Sequence, residues 1–197
     1  MSQDKSYLLK KLHSLTGIIP LGIFIIWHFI MNSFLLQGAE KFDGAVELLH
    51  SVPYLWLLEL VIAVGFLFHG AYGLYMVFTA KYNLRRYSYK RNWAFVMQRV
   101  TAVLILIFLL IHVYLLKFSG LEITFASLTQ VFGTGGLTIL AIGTLAAMFH
   151  FANGISTFLI SWGWTVGGKS QKYFGYLSLV IFFVLVLVGV NILRMFG

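Results

Sequence analysis

The feature that most constrains this chain is a series of five long apolar runs separated by polar segments. A helix that crosses a bilayer needs about 20 predominantly apolar residues. Runs of that length lie at approximately residues 14–36, 54–80, 93–117, 136–162 and 173–193. Only 10% of the residues are charged, against roughly 25% in soluble proteins. The sequence therefore predicts an all-α integral membrane protein, with residues 1–197 forming one five-transmembrane-helix bundle as a single membrane domain.

The distribution of Lys and Arg predicts the orientation of this bundle. Eleven of the 14 lie on the N-terminal side of the predicted topology, and only Lys41, Lys117 and Arg194 lie on the other side. Because basic loops stay in the cytoplasm, we expect a cytoplasmic N-terminus. The same rule accounts for the net charge of +8, which in a soluble protein would suggest nucleic acid as a partner. We expect no nucleic-acid partner here.

The chain contains no cysteine, and this narrows the cofactors that it can hold. Disulfides, thiolate metal sites and cysteine-held iron–sulfur clusters are excluded on this chain. Covalent attachment of a c-type haem through C-x-x-C-H is excluded for the same reason.

Each of the first four apolar runs carries one histidine, namely His28, His69, His112 and His150. Ionisable residues inside a membrane are costly and usually mark a functional site. With a rise of about 1.5 Å per residue, His28 and His112 lie about 20 Å from the inner surface, whereas His69 and His150 lie about 16–18 Å from it. Depth therefore predicts an outer pair, His28 with His112, and an inner pair, His69 with His150.

The two inner histidines share a local sequence pattern. The stretches His69-Gly-Ala-Tyr-Gly-Leu and His150-Phe-Ala-Asn-Gly-Ile both fit H-x-A-x-G-[L/I]. Further small residues, such as Gly65 and Gly143, lie on the same helical stripes. Small residues in a membrane helix usually let helices pack closely, but beside a histidine they also make room for a flat ring. Both interpretations remain open on sequence alone.

Three kinds of site use intramembrane histidines. A proton relay usually recruits Asp, Glu or Lys as well, and within the spans only Glu59 qualifies. A zinc ion bound by either histidine pair would have only two protein ligands. Haem fits best, because its iron takes two axial imidazoles and its porphyrin fills an apolar gap. The pattern therefore favours two bis-histidine haems, of the b type because cysteine is absent.

Three residues near the inner surface are candidates for contacts to haem propionates. His13 and Ser14 lie at the start of the first span, and Arg99 enters the third span from the inner side. An interfacial histidine in contact with lipid headgroups, and an arginine that snorkels to the interface, are the alternatives. His50 lies in the outer connection, where we expect it to be solvated.

Taken in order, these motifs resemble a known family. They are Leu12-His13-Ser14-Leu15-Thr16-Gly17, His28, His69-Gly-Ala-Tyr-Gly, Arg99 with His112, and His150 with Asn153-Gly154. The chain looks like the dihaem cytochrome b membrane-anchor subunit, cytochrome b558-like, of succinate:quinone oxidoreductases. The resemblance is to the single-polypeptide type of this subunit, which is found with succinate dehydrogenases and fumarate reductases of menaquinone-using bacteria. The resemblance covers essentially the whole chain.

The resemblance implies that four histidines ligate two haems b, with His69 and His150 on the inner haem and His28 and His112 on the outer one. It also implies two partners on the cytoplasmic face: a flavoprotein subunit with FAD, which carries the succinate site, and an iron–sulfur subunit. The basic loop 81–91 would contribute to their docking surface. Electrons would reach menaquinone near the outer side of the bacterial cytoplasmic membrane.

The residues of the quinone site are less evident from the sequence. Glu59 is the leading candidate, because it places a carboxylate near the outer end of the second span. Asn32, one helical turn beyond His28, is the second. The alternative for Glu59 is a side chain that reaches only to the interface.

Two other classes of protein remain as alternatives. One is the cytochrome b anchor of another respiratory dehydrogenase, of the hydrogenase or formate dehydrogenase type, in which ligands often double up on one helix. The other is a non-redox membrane protein with fortuitous histidines. A reduced-minus-oxidised spectrum distinguishes the second class, and the identity of co-purified subunits distinguishes the first.

Overall fold

A computed structural model describes residues 3–197 of the chain. Within this range the chain forms eight α-helices, joined by short 3₁₀, π-helical and turn segments, and no strand. The helices are α1 (Gln3–Ile18), α2 (Leu21–Ser33), α3 (Ala39–His50), α4 (Leu55–Thr79), α5 (Lys90–Val113), α6 (Phe125–Val131), α7 (Leu137–Ser161) and α8 (Gly168–Leu193).

Five helical stretches of the described chain are long and apolar enough to cross a membrane. They are Asp4–Gln37, Leu55–Thr79, Lys90–Phe118, Leu137–Ser161 and Gly168–Leu193. The prediction of an all-α membrane protein with five transmembrane helices is therefore confirmed. Large apolar side chains such as Phe78 and Leu187 are mostly exposed on the surface of the bundle, as expected where lipid rather than protein covers a helix.

The first span differs from the prediction at its start. We expected it to begin near residue 14, but α1 begins at Gln3. Lys and Leu are good helix formers, so the polar segment before the apolar run continues the same helix. The span then breaks between Ile18 and Leu21, because Pro20 has no amide hydrogen to donate to the preceding turn.

The two connections at the end of the bundle that the charge distribution predicts to be outer contain helices that hydropathy did not reveal. Helix α3 lies within residues 37–53, and α6 lies within residues 118–135. The Asp43 carboxylate accepts a hydrogen bond from the Phe125 amide at 2.7 Å, at the start of α6, and so joins the two. Their apolar faces pack over the outer end of the bundle in a cluster of seven buried residues: Leu35, Phe42, Leu128, Phe132, Leu140, Ile192 and Phe196.

Helix α7 lies at the centre of the packing, against both α5 and α8. Two glycines allow these close contacts. A Cβ atom on Gly143 would lie 2.1 Å from the Phe108 ring, and one on Gly189 would lie 2.1 Å from the Met148 methyl group. On the other side of the bundle, α1 packs against α4. These helix pairs, α1 with α4 and α5 with α7, position the histidines.

Candidate functional site

A large apolar cavity runs between the helices and is bordered by all four intramembrane histidines. Its volume is about 2810 Å³, whereas pockets for a single small ligand are usually about 300–1,000 Å³. The walls are mainly Phe, Leu, Ile and Val side chains from the first four spans, together with part of α8. The cavity is therefore large enough for more than one bulky apolar ligand.

The structure brings the four histidines together as two facing pairs. The ring centroids of His28 and His112 are 6.0 Å apart, with an angle of 84° between the ring planes. Those of His69 and His150 are 6.2 Å apart, at 79°. These are the pairs that depth along the spans predicts.

This spacing fits one metal ion between the two rings of each pair. An imidazole nitrogen binds a first-row metal at about 2 Å, and the ring centre lies about 1 Å behind that nitrogen. Two rings on opposite sides of one ion therefore have centres about 6 Å apart. Among the described residues no three His, Cys, Asp or Glu side chains group into a metal site. Each pair thus offers two ligands, which suits an ion whose remaining ligands belong to a macrocycle.

Both inner histidines are oriented through hydrogen bonds to backbone carbonyls. His69 Nδ1 lies 3.0 Å from the carbonyl oxygen of His13, and His150 Nδ1 lies 3.1 Å from that of Gln98. A carbonyl oxygen can only accept, so in each ring Nδ1 donates and the neutral tautomer leaves the lone pair on Nε2. Metal-ligating histidines typically make such a bond with the nitrogen that does not bind the metal.

The outer histidines are held by aromatic rings instead. The Phe108 ring lies 5.1 Å from that of His112, and the Phe24 ring lies 5.3 Å from that of His28, measured between centroids. His112 Nδ1 is buried without a hydrogen-bond partner. Because Phe108 rests directly on Gly143, the close contact of α5 with α7 also fixes the ring beside His112.

The glycines of the small-residue stripes differ in what they contact. Gly65 allows close helix packing, since its Cβ would lie 2.9 Å from Pro20 Cγ. Gly73 makes room for a ring, since its Cβ would lie 3.2 Å from His13 Nε2. The tightest contact with an inner histidine comes from Gly17, outside these stripes: its Cβ would lie 2.6 Å from His69 Cε1. Gly154 has only an ordinary contact, 3.7 Å from Gln98 Nε2.

The three propionate candidates line the cavity. The His13 ring stacks on that of His69 at 4.0 Å, and its Nε2 is buried without a partner. Ser14 Oγ accepts a hydrogen bond from Trp162 Nε1 at 2.9 Å. Arg99 donates one hydrogen bond to the Phe95 carbonyl, while its Nε is buried without a partner. The unpaired Arg99 N–H suits a carboxylate ligand.

The two quinone candidates line the same cavity. Glu59 Oε1 accepts a hydrogen bond from Lys117 Nζ at 2.6 Å, an ion pair that the sequence did not suggest. Asn32 Nδ2 donates to the carbonyl oxygen of His28 at 2.8 Å. His50, which we expected in solvent, is exposed but also borders the cavity.

Sequence reasoning missed Gln98 and Thr101, which lie on α5 beside His150. Gln98 Nε2 donates to the His150 carbonyl at 3.0 Å, and its Oε1 accepts from Asn153 Nδ2 at 2.7 Å. Thr101 Oγ1 lies 3.2 Å from His150 Nδ1. The available signal was the presence of two polar residues, one helical turn apart, near the start of an apolar span.

Comparison with known proteins identifies the family of this chain. A model of the family described as Succinate dehydrogenase/Fumarate reductase transmembrane subunit matches residues 79–189, more than half of the chain. The chain is also 39% identical over 196 residues to the succinate dehydrogenase cytochrome b558 subunit of Bacillus subtilis (strain 168), with 97% of each protein covered. These matches confirm the family that the motifs predicted. This membrane protein belongs to the family of succinate dehydrogenase/fumarate reductase transmembrane subunits.

Proposed function

We propose that this chain is the membrane-anchor and electron-transfer subunit of a succinate:menaquinone oxidoreductase, with two bis-histidine b-type haems. The observation that carries the proposal is the presence of two histidine pairs, with ring centroids 6.0 and 6.2 Å apart, along one apolar cavity. The name of the Bacillus subtilis relative, a cytochrome b558 subunit of succinate dehydrogenase, supports haem b as the ligand.

In this proposal His28 and His112 would hold an outer haem, and His69 and His150 would hold an inner one. Bound haem b supplies iron that is reduced and oxidised by one electron at a time. The carbonyl acceptor at each inner Nδ1–H selects the tautomer whose free lone pair is on Nε2. Two histidine ligands on each iron would favour electron transfer over oxygen binding.

The polar end of the inner site consists of three residues: His13, Ser14 and Arg99. Burial of an arginine N–H without a partner is costly, and a propionate carboxylate would supply the missing acceptor for Arg99 Nε. His13 Nε2 is the second unpaired nitrogen on this side. Ser14 accepts from Trp162 and donates its one hydroxyl hydrogen to the Lys11 carbonyl at 3.0 Å, so it would bind a propionate only by exchanging the bond to Lys11.

The proposed partners are a flavoprotein subunit with FAD and an iron–sulfur subunit. Both dock on the cytoplasmic face, where the N-terminus and the basic loop 81–91 lie. Succinate is oxidised, or fumarate reduced, on those subunits and not on this chain. The protein thus acts as a multi-pass subunit of an enzyme complex in the bacterial cytoplasmic membrane.

Menaquinone binds at the outer end of the cavity, in this proposal, beside the outer histidine pair. Glu59 is the candidate for proton exchange with the quinone, and Asn32 is the candidate for a hydrogen bond to it. Their positions on the cavity wall, toward the same end as His28 and His112, support this assignment.

The decisive experiment is purification of the native complex from membranes through a tag on this chain. We expect a reduced-minus-oxidised spectrum with b-type bands, two haems per chain, and co-purification of a flavoprotein and an iron–sulfur protein. Absence of a b-type band would refute the haem proposal. Co-purification of hydrogenase or formate dehydrogenase subunits would refute the assignment to succinate oxidation while preserving the haem sites.

A further inference from the structure

The two inner histidines sit in hydrogen-bond triangles of the same construction. In the first, His69 Nδ1 and Thr16 Oγ1 each lie 3.0 Å from the His13 carbonyl oxygen, and both donate to it. Thr16 Oγ1 is itself 3.5 Å from His69 Nδ1, which closes the triangle.

A similar triangle lies on α5 and α7. His150 Nδ1 lies 3.1 Å from the Gln98 carbonyl oxygen, and Thr101 Oγ1 lies 3.2 Å from the same oxygen. Unlike Thr16, Thr101 has a second and nearer acceptor, the Met97 carbonyl oxygen at 2.8 Å. Thr101 Oγ1 is 3.2 Å from His150 Nδ1. In both triangles the threonine follows the carbonyl-bearing residue by three positions.

The helices that carry the triangles also correspond. The helical stretch with His13 and Thr16 carries His28 further along, and α5 with Gln98 and Thr101 carries His112. Each of these two stretches therefore orients one inner imidazole and contributes one outer imidazole of its own. The outer ring of His112 has no such bond, since its Nδ1 is buried without a partner.

We infer that Thr16 and Thr101 are equivalent positioning residues, which fix the ring orientation and tautomer of His69 and His150. This inference rests on the proposed function of those histidines as axial ligands. Each threonine hydroxyl donates its hydrogen to a helix carbonyl, so its oxygen lone pair faces the Nδ1–H of the histidine. A second acceptor beside Nδ1–H holds the ring at a fixed rotation and makes the imidazole a stronger electron donor to a metal bound at Nε2.

Gln98 extends the second triangle through its side chain. It donates to the His150 carbonyl and accepts from Asn153, so it binds α7 at two positions separated by one turn. In the first triangle the corresponding side chain is His13, which stacks on the His69 ring at 4.0 Å. Both side chains lie next to the glycine that follows the inner histidine by four positions, Gly73 or Gly154.

The test uses Thr16→Val and Thr101→Val in the intact complex, because valine keeps the shape of threonine without its hydroxyl group. We expect the midpoint potential of the inner haem to rise in both variants, since a weaker donor imidazole stabilises ferric iron less. The shift should be larger for Thr101, whose oxygen lies closer to Nδ1. The electron paramagnetic resonance signal of the oxidised inner haem should shift with ring orientation, and the outer signal should not change.

Two variants serve as controls. Thr101→Ser retains a hydroxyl group and should keep the wild-type potential. Thr79→Val removes an exposed hydroxyl that bonds only the Tyr75 carbonyl on α4, and it should change neither haem. Loss of the inner haem alone in a valine variant would also support the inference, provided that Thr101→Ser retains it.

The inference is overturned if both valine variants keep the wild-type inner potential and resonance signal, or if both haems change together. Neither result affects the proposed function, which requires only that the wild-type complex contain two b-type components. Conversely, a wild-type complex without two such components refutes the proposed function and, with it, this inference.

Discussion

Lys117 Nζ lies 2.6 Å from Glu59 Oε1, so an ion pair joins the outer end of α4 to the segment that follows α5. The side chains of Lys117 and Glu59 are 58% and 45% exposed, respectively. Exposed pairs of this kind stabilise a protein by only about 0–1 kcal/mol. Removal of this carboxylate therefore tests the chemistry of the outer cavity with little effect on the fold.

We expect Glu59→Gln to lower quinone turnover while both haem spectra stay intact. The amide keeps the size of the side chain but cannot exchange a proton near neutral pH. The measurement is succinate-dependent reduction of a menaquinone analogue by the purified complex. Glu40→Gln, which neutralises an exposed carboxylate outside the cavity, is the matched control. Unchanged turnover in Glu59→Gln would remove this residue from the quinone site.

We expect His112→Ala to remove the outer haem and to spare most of the inner one, because His69 and His150 face each other and not His112. His69→Ala should have the reciprocal effect. Haem content and low-temperature spectra of the purified complex measure both outcomes. His50→Ala should leave both haems in place. Loss of the inner haem in His112→Ala, with the outer one retained, would contradict the pairing.

Gly17→Ala should weaken the inner site. Its new methyl group would lie 2.6 Å from His69 Cε1, so the ring must move and strain its bond to the His13 carbonyl. Overpacking of this kind usually costs about 1–3 kcal/mol. We expect a lower thermal unfolding temperature and reduced inner haem content. Gly70→Ala, where the nearest atom is 3.9 Å away, is the control on the facing helix. Equal behaviour of the two variants would argue against ring clearance at Gly17.

Gly143→Ala should affect the outer site indirectly, through the Phe108 ring. Its methyl group would lie 2.1 Å from the Phe108 ring, which is itself 5.1 Å from the His112 ring. We expect loss or spectral change of the outer haem before any change in the inner one. Gly175→Ala, on α8 with open space around it, should be neutral. A spectrum that changes only in the inner component would contradict an effect of Gly143 on the outer site.

The orientation can be tested without any haem. With a cytoplasmic N-terminus and five spans, the C-terminus lies outside. A C-terminal alkaline phosphatase fusion should be active, and a C-terminal green fluorescent protein fusion should be dark. A fusion truncated after residue 86, in the basic loop, should give the opposite result. Activity of alkaline phosphatase at that loop would reverse the predicted topology.

Hydropathy was sufficient to predict the five spans, because a membrane helix must satisfy its backbone internally and present apolar side chains to lipid. Hydropathy did not predict α3 and α6, because their mixed composition resembles that of a polar connection. Their apolar faces become evident only in the fold, where they pack over the bundle. Hydropathy also missed the polar start of α1, since a helix that continues into the interface needs no hydrophobic run.

The arrangement of the histidines was predictable, because depth follows from a constant rise per residue once the orientation is assumed. Their hydrogen bonds were not. His69 and His150 donate to carbonyl oxygens, and every residue has one, so no side-chain pattern marks the acceptor. Likewise, Glu59 and Lys117 are 58 positions apart, and only the packing of their helices reveals that they meet.

The carbonyl acceptors at residues 13 and 98 have a consequence for how such a site can change over time. Because the main chain supplies both acceptors, one position carries histidine and the other glutamine without loss of either bond. Substitutions at residues 13 and 98 can alter the surroundings of the inner rings, yet they leave their principal attachment in place. These two hydrogen bonds therefore persist as long as the helices keep their positions, and a comparison of side chains alone would not reveal them.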